Sequence, residues 1–346
     1  MKPLTLKKKN LDWRFSVAPM MGWTDRHERT FLRVLSKRAV LYTEMIPEGA
    51  LVYGHRDRFL EFHDSQHPVA LQIGGSDPDL MAQGAKLGEE AGYDEININV
   101  GCPSERGAHR LFGAHLMKHP ELVADCFMAM NEAVSIPVTI KTRIGVDRDD
   151  AYEPLLKFVE RQAEAGCEVF HIHARKAWLD GLSPKDNRHI PPLRYEYVYR
   201  LKQERPDLVI TINGGIKTMQ ECKEHIRHTD GVMVGREAYH NPFLLCQVDS
   251  QLYGEPEGGP MTRERFLDEI EPYIQEQLDK GSSLHSMTRH ILGLYQGQPG
   301  ARIFRRVLSE EGYRDGAGIE VLRKAREEQA RTAREVEDYR APVHQH

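Results

Sequence analysis

The sequence predicts an α/β protein, a (β/α)8 TIM barrel followed by a smaller all-helical C-terminal domain. Three observations carry that expectation. Between residues 15 and 235, eight short runs of strand-forming residues alternate with longer stretches of helical periodicity. The ends of those runs, where a barrel gathers its functional loops, are crowded with glycine and polar groups. Beyond a Gly- and Pro-rich patch, GEPEGGP at 254–260, only helical patterns follow. A doubly wound open sheet is the alternative for the alternating part.

The runs are, in order, FSVAPM (15–20), VLYTEM (40–45), VALQIG (69–74), EININV (95–100), PVTIKT (137–142), VFHIHA (169–174), VITING (209–214) and GVMVG (231–235). Between them, 77–91, 120–134 and 152–165 carry apolar residues at spacings of three and four, as amphipathic helices require. The expected barrel domain spans 12–253. The expected second domain, 261–346, holds helices over 263–280, 284–295 and 301–308, and then a charged tail from residue 310.

Composition narrows the functional classes. With 346 residues, 40% of them hydrophobic and 29% charged, and a net charge of -5, the chain is neither disordered nor basic overall, so a nucleic-acid partner needs a local basic surface. Five cysteines without a C-x-x-C pair argue against a zinc site and a disulfide scaffold, and fit a reducing cytoplasm. The start, MKPLTLKKKNLDW, is basic with no apolar stretch behind it, and no segment approaches the roughly 20 apolar residues of a membrane span. The expectation is a cytoplasmic protein with no metal and no obligate protein partner.

The strand ends carry Pro19-Met20-Met21-Gly22, Glu44, Gln72, Asn99 to Cys102, Lys141-Thr142-Arg143, His171 to Lys176, Asn213-Gly214-Gly215 and Gly235-Arg236. Such a ring is what a cofactor site needs. A lone N-G-G is usually a tight turn, but glycine loops after strands seven and eight, with Arg236 beside them, favour a phosphate held by backbone N–H groups. Lys141 ends an apolar strand, so its charge is aimed into the barrel mouth, as a Schiff-base lysine or as a counter-charge to a bound ring. His171 and His173 are expected on opposite sides of the sheet, with His173, followed by Arg175 and Lys176, in the site. Cys102 in NVGCPS is held on a loop between Gly101 and Pro103, which favours a reactive thiol over a packing one and leaves nucleophile and proton donor both open.

Between Asp279 and Glu310 no acidic residue occurs, while Lys280, Arg289, Arg302, Arg305 and Arg306 all fall there. With His285, His290, Tyr295 and Phe304 interleaved, this stretch suits a phosphate backbone with stacked bases about as well as it suits a solvated helical face.

Several motifs together resemble one family, the tRNA-dihydrouridine synthases, and within it the bacterial A branch. They include VAPMMGWTDRHERTFLR (17–33), HPVALQIGGSDP (67–78), GYDEININVGCPS (92–104), IPVTIKTRIG (136–145), FHIHARKAWLDGLSPKDNRHIPPL (170–193), DGVMVGREAYHNP (230–242) and MTRHILGLYQGQPGARIFRRVLSE (287–310). The resemblance runs in one order from about residue 12 to 310, with the tail from Glu311 outside it. It implies a barrel carrying FMN, NADPH as reductant, and reduction of uridines 20 and 20a in the tRNA D-loop, with hydride passing to C6 of a flipped uracil and Cys102 protonating C5. By the same resemblance Pro19, Met20, Met21, Gln72, Lys141, His173, Asn213, Gly214, Gly215, Gly235 and Arg236 fall at flavin-contacting positions. Asn99, Lys176 and Arg188 fall near uracil or RNA, and Arg302, Arg305 and Arg306 are the expected tRNA-backbone contacts. His115 and the 107–110 stretch depart from the family pattern beside the substrate loop. A flavin dehydrogenase of a small pyrimidine, a Lys141 aldolase and a non-catalytic RNA-binding barrel are the competing readings.

Overall fold

The computed structural model describes residues 11–103, 111–149, 151–256, 259 and 261–340. Each of the eight runs falls on one strand, with β2 and β5 running two residues and one residue past it: β1 (Phe15–Val17), β2 (Val40–Pro47), β3 (Val69–Gly74), β4 (Glu95–Val100), β5 (Val138–Arg143), β6 (Val169–His173), β7 (Val209–Asn213) and β8 (Gly231–Val234). They pair in sequence order, all parallel, and β8 closes on β1.

The period of two in each strand divides its side chains between two environments. In β4, Ile96, Ile98 and Val100 face outward into the helical layer, and Glu95, Asn97 and Asn99 face the barrel interior. The outward set joins Leu71, Ile140, Phe170, Ile172, Ile210 and Ile212 in the main core, each side chain contributing about 1.5–3 kcal/mol by leaving water. A second, smaller core of Trp13, Val40, Tyr42, Ala70, Val169 and Met233 plugs the barrel from below.

Helix starts follow from capping chemistry. Asp77 accepts from the N–H groups of Asp79 and Leu80 ahead of helix Pro78–Glu90, and Thr218 forms a capping box with Glu221 at helix Met219–Ile226.

Past the barrel come helices Arg263–Asp279, Leu284–Thr288, Ala301–Glu311 and Ile319–Arg340. Phe266, Leu267, Ile270 and Ile274 are buried in the same core as the barrel helices, and Tyr273 sits edge-on to Phe31. Asp25, in the loop after β1, joins the two parts. One of its oxygens caps helix Arg26–Leu35 through the N–H groups of His27 and Glu28, and the other accepts from Arg289 (2.6 Å) and His290 (2.9 Å). Burial alone would raise this carboxyl, but the His290 hydrogen bond and charge hold it well below the usual carboxylate range.

Two expectations about this part are corrected. The helix expected over 284–295 stops at Thr288, and 289–300 runs in turns. Gly293 lies where a Cβ would come within 2.8 Å of the His240 carbonyl oxygen, and Gly297 and Gly300 take positive φ, so glycine serves close approach and turning here. The charged tail is mostly the helix Ile319–Arg340, whose Val321, Leu322 and Ala325 are buried. Its high charge masks a narrow apolar stripe.

Candidate active site

The upper ends of the strands bring the expected groups together around Cys102. Asn99 Oδ1 accepts from the N–H groups of Gly101 (3.1 Å) and Cys102 (2.9 Å), so the strand's last inward side chain folds the loop back over the mouth. The Cys102 carbonyl accepts from Ala114 N–H at 2.9 Å. Gly113, with φ of 62°, lies so close that a Cβ there would approach that carbonyl oxygen to 2.3 Å. Both backbone groups of Cys102 are thus tied down and its thiol is half-buried. His115 lies in the short helical turn Gly113–Lys118 that supplies this clamp, and the 107–110 stretch lies outside the described residues.

Inward from the thiol, Asn99 donates to Gln72 (2.7 Å) and Gln72 donates to Asn97 (2.7 Å). Lys141 reaches across to Asn213 Oδ1 at 3.5 Å, and Asn213 donates to the Met233 carbonyl at 2.6 Å. Arg143 ties the floor to the loops, donating to the carbonyls of Gly101 (2.7 Å), Lys176 (3.1 Å) and Asn187 (3.2 Å). The sequence places Arg143 at the strand end, and these three carbonyl contacts give it a role that the sequence pattern alone does not. The signal for its place was present, because Arg143 is two residues beyond Lys141 and shares its face.

The same rule corrects the reading of β6. Residues two apart in a strand point the same way, and both His171 and His173 face the barrel interior. His171 contacts Tyr42 (2.8 Å) and Thr211 (2.7 Å) deep inside, and His173 stands above it against Gly214.

The mouth is electropositive. Burial, reinforced by Arg143, brings the Lys141 ammonium down to about 8, and burial likewise brings the Arg143 guanidinium to about 10. His173 is held well below the usual imidazole range, first by burial and then by Arg143, Lys141, Arg175 and Arg236, so it is neutral at pH 7.

Gly214 and Gly215 follow β7 with φ of 125° and 75°. A Cβ on Gly214 would meet the His173 ring and Leu193 at 2.9 Å, and one on Gly215 would meet Leu193 at 2.8 Å. The N–H groups of Gly214, Gly215 and Gly235 donate to no protein acceptor among the described residues. Arg236 contacts the His189 ring at 2.6 Å and the Arg188 carbonyl at 3.5 Å. Arg188 is exposed at this rim, and Lys176 covers the Trp178 ring at 4.6 Å.

At the β1 end, Met20 N–H donates to Thr24 Oγ1 at 2.9 Å, which shapes the Pro19-Met20 turn, and Met21 is exposed. Trp23 stacks on Tyr239 with ring centroids 4.4 Å apart, joining the β1 and β8 loops.

Arg302, Arg305 and Arg306 are not part of this cluster. They are exposed on helix Ala301–Glu311, and no described contact brings them to the mouth. The expected base-stacking groups among them are largely core: His290, Tyr295 and Phe304 are buried, Tyr295 against Phe304. Arg289 and Lys280 are paired with Asp25 and Glu276, whereas Arg302, Arg305 and Arg306 form no salt bridge among the described residues. Arg305 donates to the Leu292 carbonyl at 3.4 Å, and Glu311, its carboxyl held down first by the Lys324 hydrogen bond, also feels the Arg306 charge. The described residues hold no His, Cys, Asp and Glu cluster suited to a metal ion, and no helix among them is long and apolar enough to cross a membrane.

Residues 16–330 match a family model described as "Dihydrouridine synthase (Dus)". The chain belongs to the dihydrouridine synthase family. The match extends to residue 330, so residues 311–330 of the segment set apart in the sequence belong to the family's own architecture, in keeping with the buried stripe of helix Ile319–Arg340. Similar dihydrouridine synthases include the tRNA-dihydrouridine(20/20a) synthase of Yersinia pestis, 56% identical over 313 residues that cover 90% of each chain. Those of Pseudomonas aeruginosa, 55% identical over 92% of this chain and 95% of its own, and Escherichia coli K12, 54% identical over 92% and 93%, carry the same name. Histamine dehydrogenase from Rhizobium sp. 4-9 shares the barrel fold, with a TM-score of 0.51 and 11% identity over 72% of this chain and 48% of its own.

Proposed function

We propose that this protein reduces uridines 20 and 20a of tRNA to 5,6-dihydrouridine, with FMN as prosthetic group and NADPH as reductant. The observation that carries the chemistry is the clamped loop that holds the Cys102 thiol at a cationic barrel mouth beside Asn99, Lys141 and Arg143.

The residues fit a phosphorylated flavin. Two glycine loops whose N–H groups have no protein acceptor among the described residues, with Arg236 beside them, suit a phosphate, and Gly214 has no room for a Cβ against the His173 ring and Leu193. Lys141, with a single acceptor at 3.5 Å among the described residues, has ammonium protons to give to an anionic ring. Gln72, Asn213 and His173 would complete the polar wall of that site, with Pro19, Met20, Met21 and Gly235 along its rim. When bound and reduced by NADPH, the flavin supplies a hydride to C6 of the uracil.

The chain's own part is proton delivery and orientation. The Cys102 S–H bond breaks as the proton passes to C5, so uracil gains one hydride and one proton, and the thiolate is left beside Lys141 and Arg143. That cationic neighbourhood stabilises the charge the step creates. Asn99 and Arg188 would hold the base and its phosphates, with Lys176 at the same rim. Residues 12–253 would form the catalytic domain and 261–346 the tRNA-binding domain, with Arg302, Arg305 and Arg306 contributing backbone contacts. Those contacts offset the few kcal/mol needed to unstack a loop base.

The test is an anaerobic absorbance titration. Purified protein should be yellow, bleach with NADPH, and regain colour with tRNA lacking dihydrouridine. Bleaching without reoxidation by tRNA would move the assignment to a small pyrimidine substrate, and a flavin-free protein would overturn it.

A further inference from the structure

The buried polar groups inside the barrel form one directed relay whose polarity is set at both ends. At the mouth, the N–H groups of Gly101 and Cys102 can only donate, so they require the oxygen of Asn99. That turns Asn99 Nδ2 toward Gln72 Oε1 (2.7 Å), then Gln72 Nε2 toward Asn97 Oδ1 (2.7 Å), then Asn97 Nδ2 toward Thr139 Oγ1 (2.7 Å). Having accepted there, Thr139 has its one proton for Glu95 Oε1. At Glu95 the direction ends on a carboxylate surrounded by donors: the Trp13 indole N–H (2.6 Å), which can do nothing else, and the Tyr42 hydroxyl (2.7 Å).

We propose that Glu95 is a positioning residue for Cys102, acting as the acceptor-only terminus that fixes which way the Asn99 carboxamide faces. This rests on the reading of Cys102 as proton donor. The two ends of an amide are nearly equal in shape, so hydrogen-bond polarity alone selects its orientation. Gln72, Asn97, Thr139 and Glu95 are fully buried, and solvent does not reach a reversed link to repair it. A terminus able to donate permits the reversed relay, in which Asn99 turns its NH2 toward two N–H donors and the 101–103 loop is pushed out of place.

The test compares Glu95→Gln and Thr139→Val, which break the direction, with Thr139→Ser, which keeps it, and Tyr42→Phe, which removes a buried Glu95 hydrogen bond off the relay. Each is measured for alkylation of Cys102 by iodoacetamide, located by mass spectrometry, for flavin reduction by NADPH, and for kcat and KM with tRNA. Glu95→Gln and Thr139→Val are expected to change the alkylation rate about threefold or more and to lower kcat about tenfold, and because the reversed relay also turns Gln72 and Asn99, flavin reduction and KM shift with them. Thr139→Ser should restore the alkylation rate and kcat, and Tyr42→Phe should lower the melting temperature while leaving both near the parent values. A folded Thr139→Val protein whose alkylation rate and kcat match those of Tyr42→Phe would overturn the proposal. Because alkylation needs no tRNA, altered rates in the Glu95→Gln and Thr139→Val variants of a parent that proves inactive on tRNA would support the relay while refuting the functional reading.

Discussion

Replacing Lys141 by methionine is expected to stabilise the flavin-free protein at neutral pH and, on the proposed function, to abolish flavin retention. The Lys141 ammonium is buried beside Arg143, has one acceptor at 3.5 Å among the described residues, and falls from 10.5 to about 8. At roughly 1.4 kcal/mol for each pH unit, keeping that charge in the fold costs about 3 kcal/mol, and partial solvent contact reduces this to about 1–2 kcal/mol. Methionine keeps the length of the stem and removes the charge.

The sign is fixed by linkage. Below pH 8 folded and unfolded chains both hold the proton and the full penalty applies. Between pH 8 and 10.5 the unfolded chain binds more protons than the folded one, so wild-type stability gains with rising pH through this group. Urea denaturation of flavin-stripped wild type and Lys141→Met at pH 7 and pH 10 should therefore show a stability gap that favours the variant at pH 7 and narrows at pH 10. A variant less stable than wild type at pH 7, or a gap independent of pH, would refute the reasoning.

Cys102→Ala should leave flavin reduction by NADPH unchanged and lower dihydrouridine formation about 100-fold or more, read by stopped-flow absorbance and nucleoside mass spectrometry. Gly214→Ala, which forces a positive φ on a residue with a Cβ and brings that Cβ 2.9 Å from the His173 ring, should cost about 1–3 kcal/mol and weaken flavin retention, checked by denaturation and dialysis. Neutralising Arg302, Arg305 and Arg306 to glutamine should weaken tRNA binding and flatten its salt dependence, by a slope of up to ~0.7–0.9 for each lost phosphate contact. An unchanged slope would mean these side chains are merely solvated.

Much of the barrel is visible in the chain because buried parallel strands have no local alternative. EININV cannot be an amphipathic helix, since its polar and apolar residues strictly alternate, and the asparagines mark an interior that must be filled with hydrogen bonds. What misleads is what one dimension omits. A basic stretch without acidic neighbours looks unpaired, yet Asp25, far away in the chain, takes both Arg289 and His290. Aromatic residues interleaved with arginines look like a stacking surface, yet a helix sends them to opposite faces, and Phe304 goes inward while Arg305 goes outward. The helix Ile319–Arg340 hides for the same reason, its buried stripe among the described residues being Val321, Leu322, Ala325 and Gln329, interspersed with charges.

The two faces of β4 also carry different kinds of constraint. Outward, Ile98 is held by nondirectional packing, and trimming it to valine costs about 1 kcal/mol with no consequence for the mouth, because neighbouring aliphatic groups relax into the space. Inward, Asn97 has a defined donor and a defined acceptor, and removing either leaves a buried partner unsatisfied at about 1–3 kcal/mol. More than stability is at stake there, since the same bonds set the direction of Asn99 and so the seat of Cys102. One strand thus separates the part of the sequence that can drift in size and shape from the part that must keep its polarity, and the chemistry is attached only to the second.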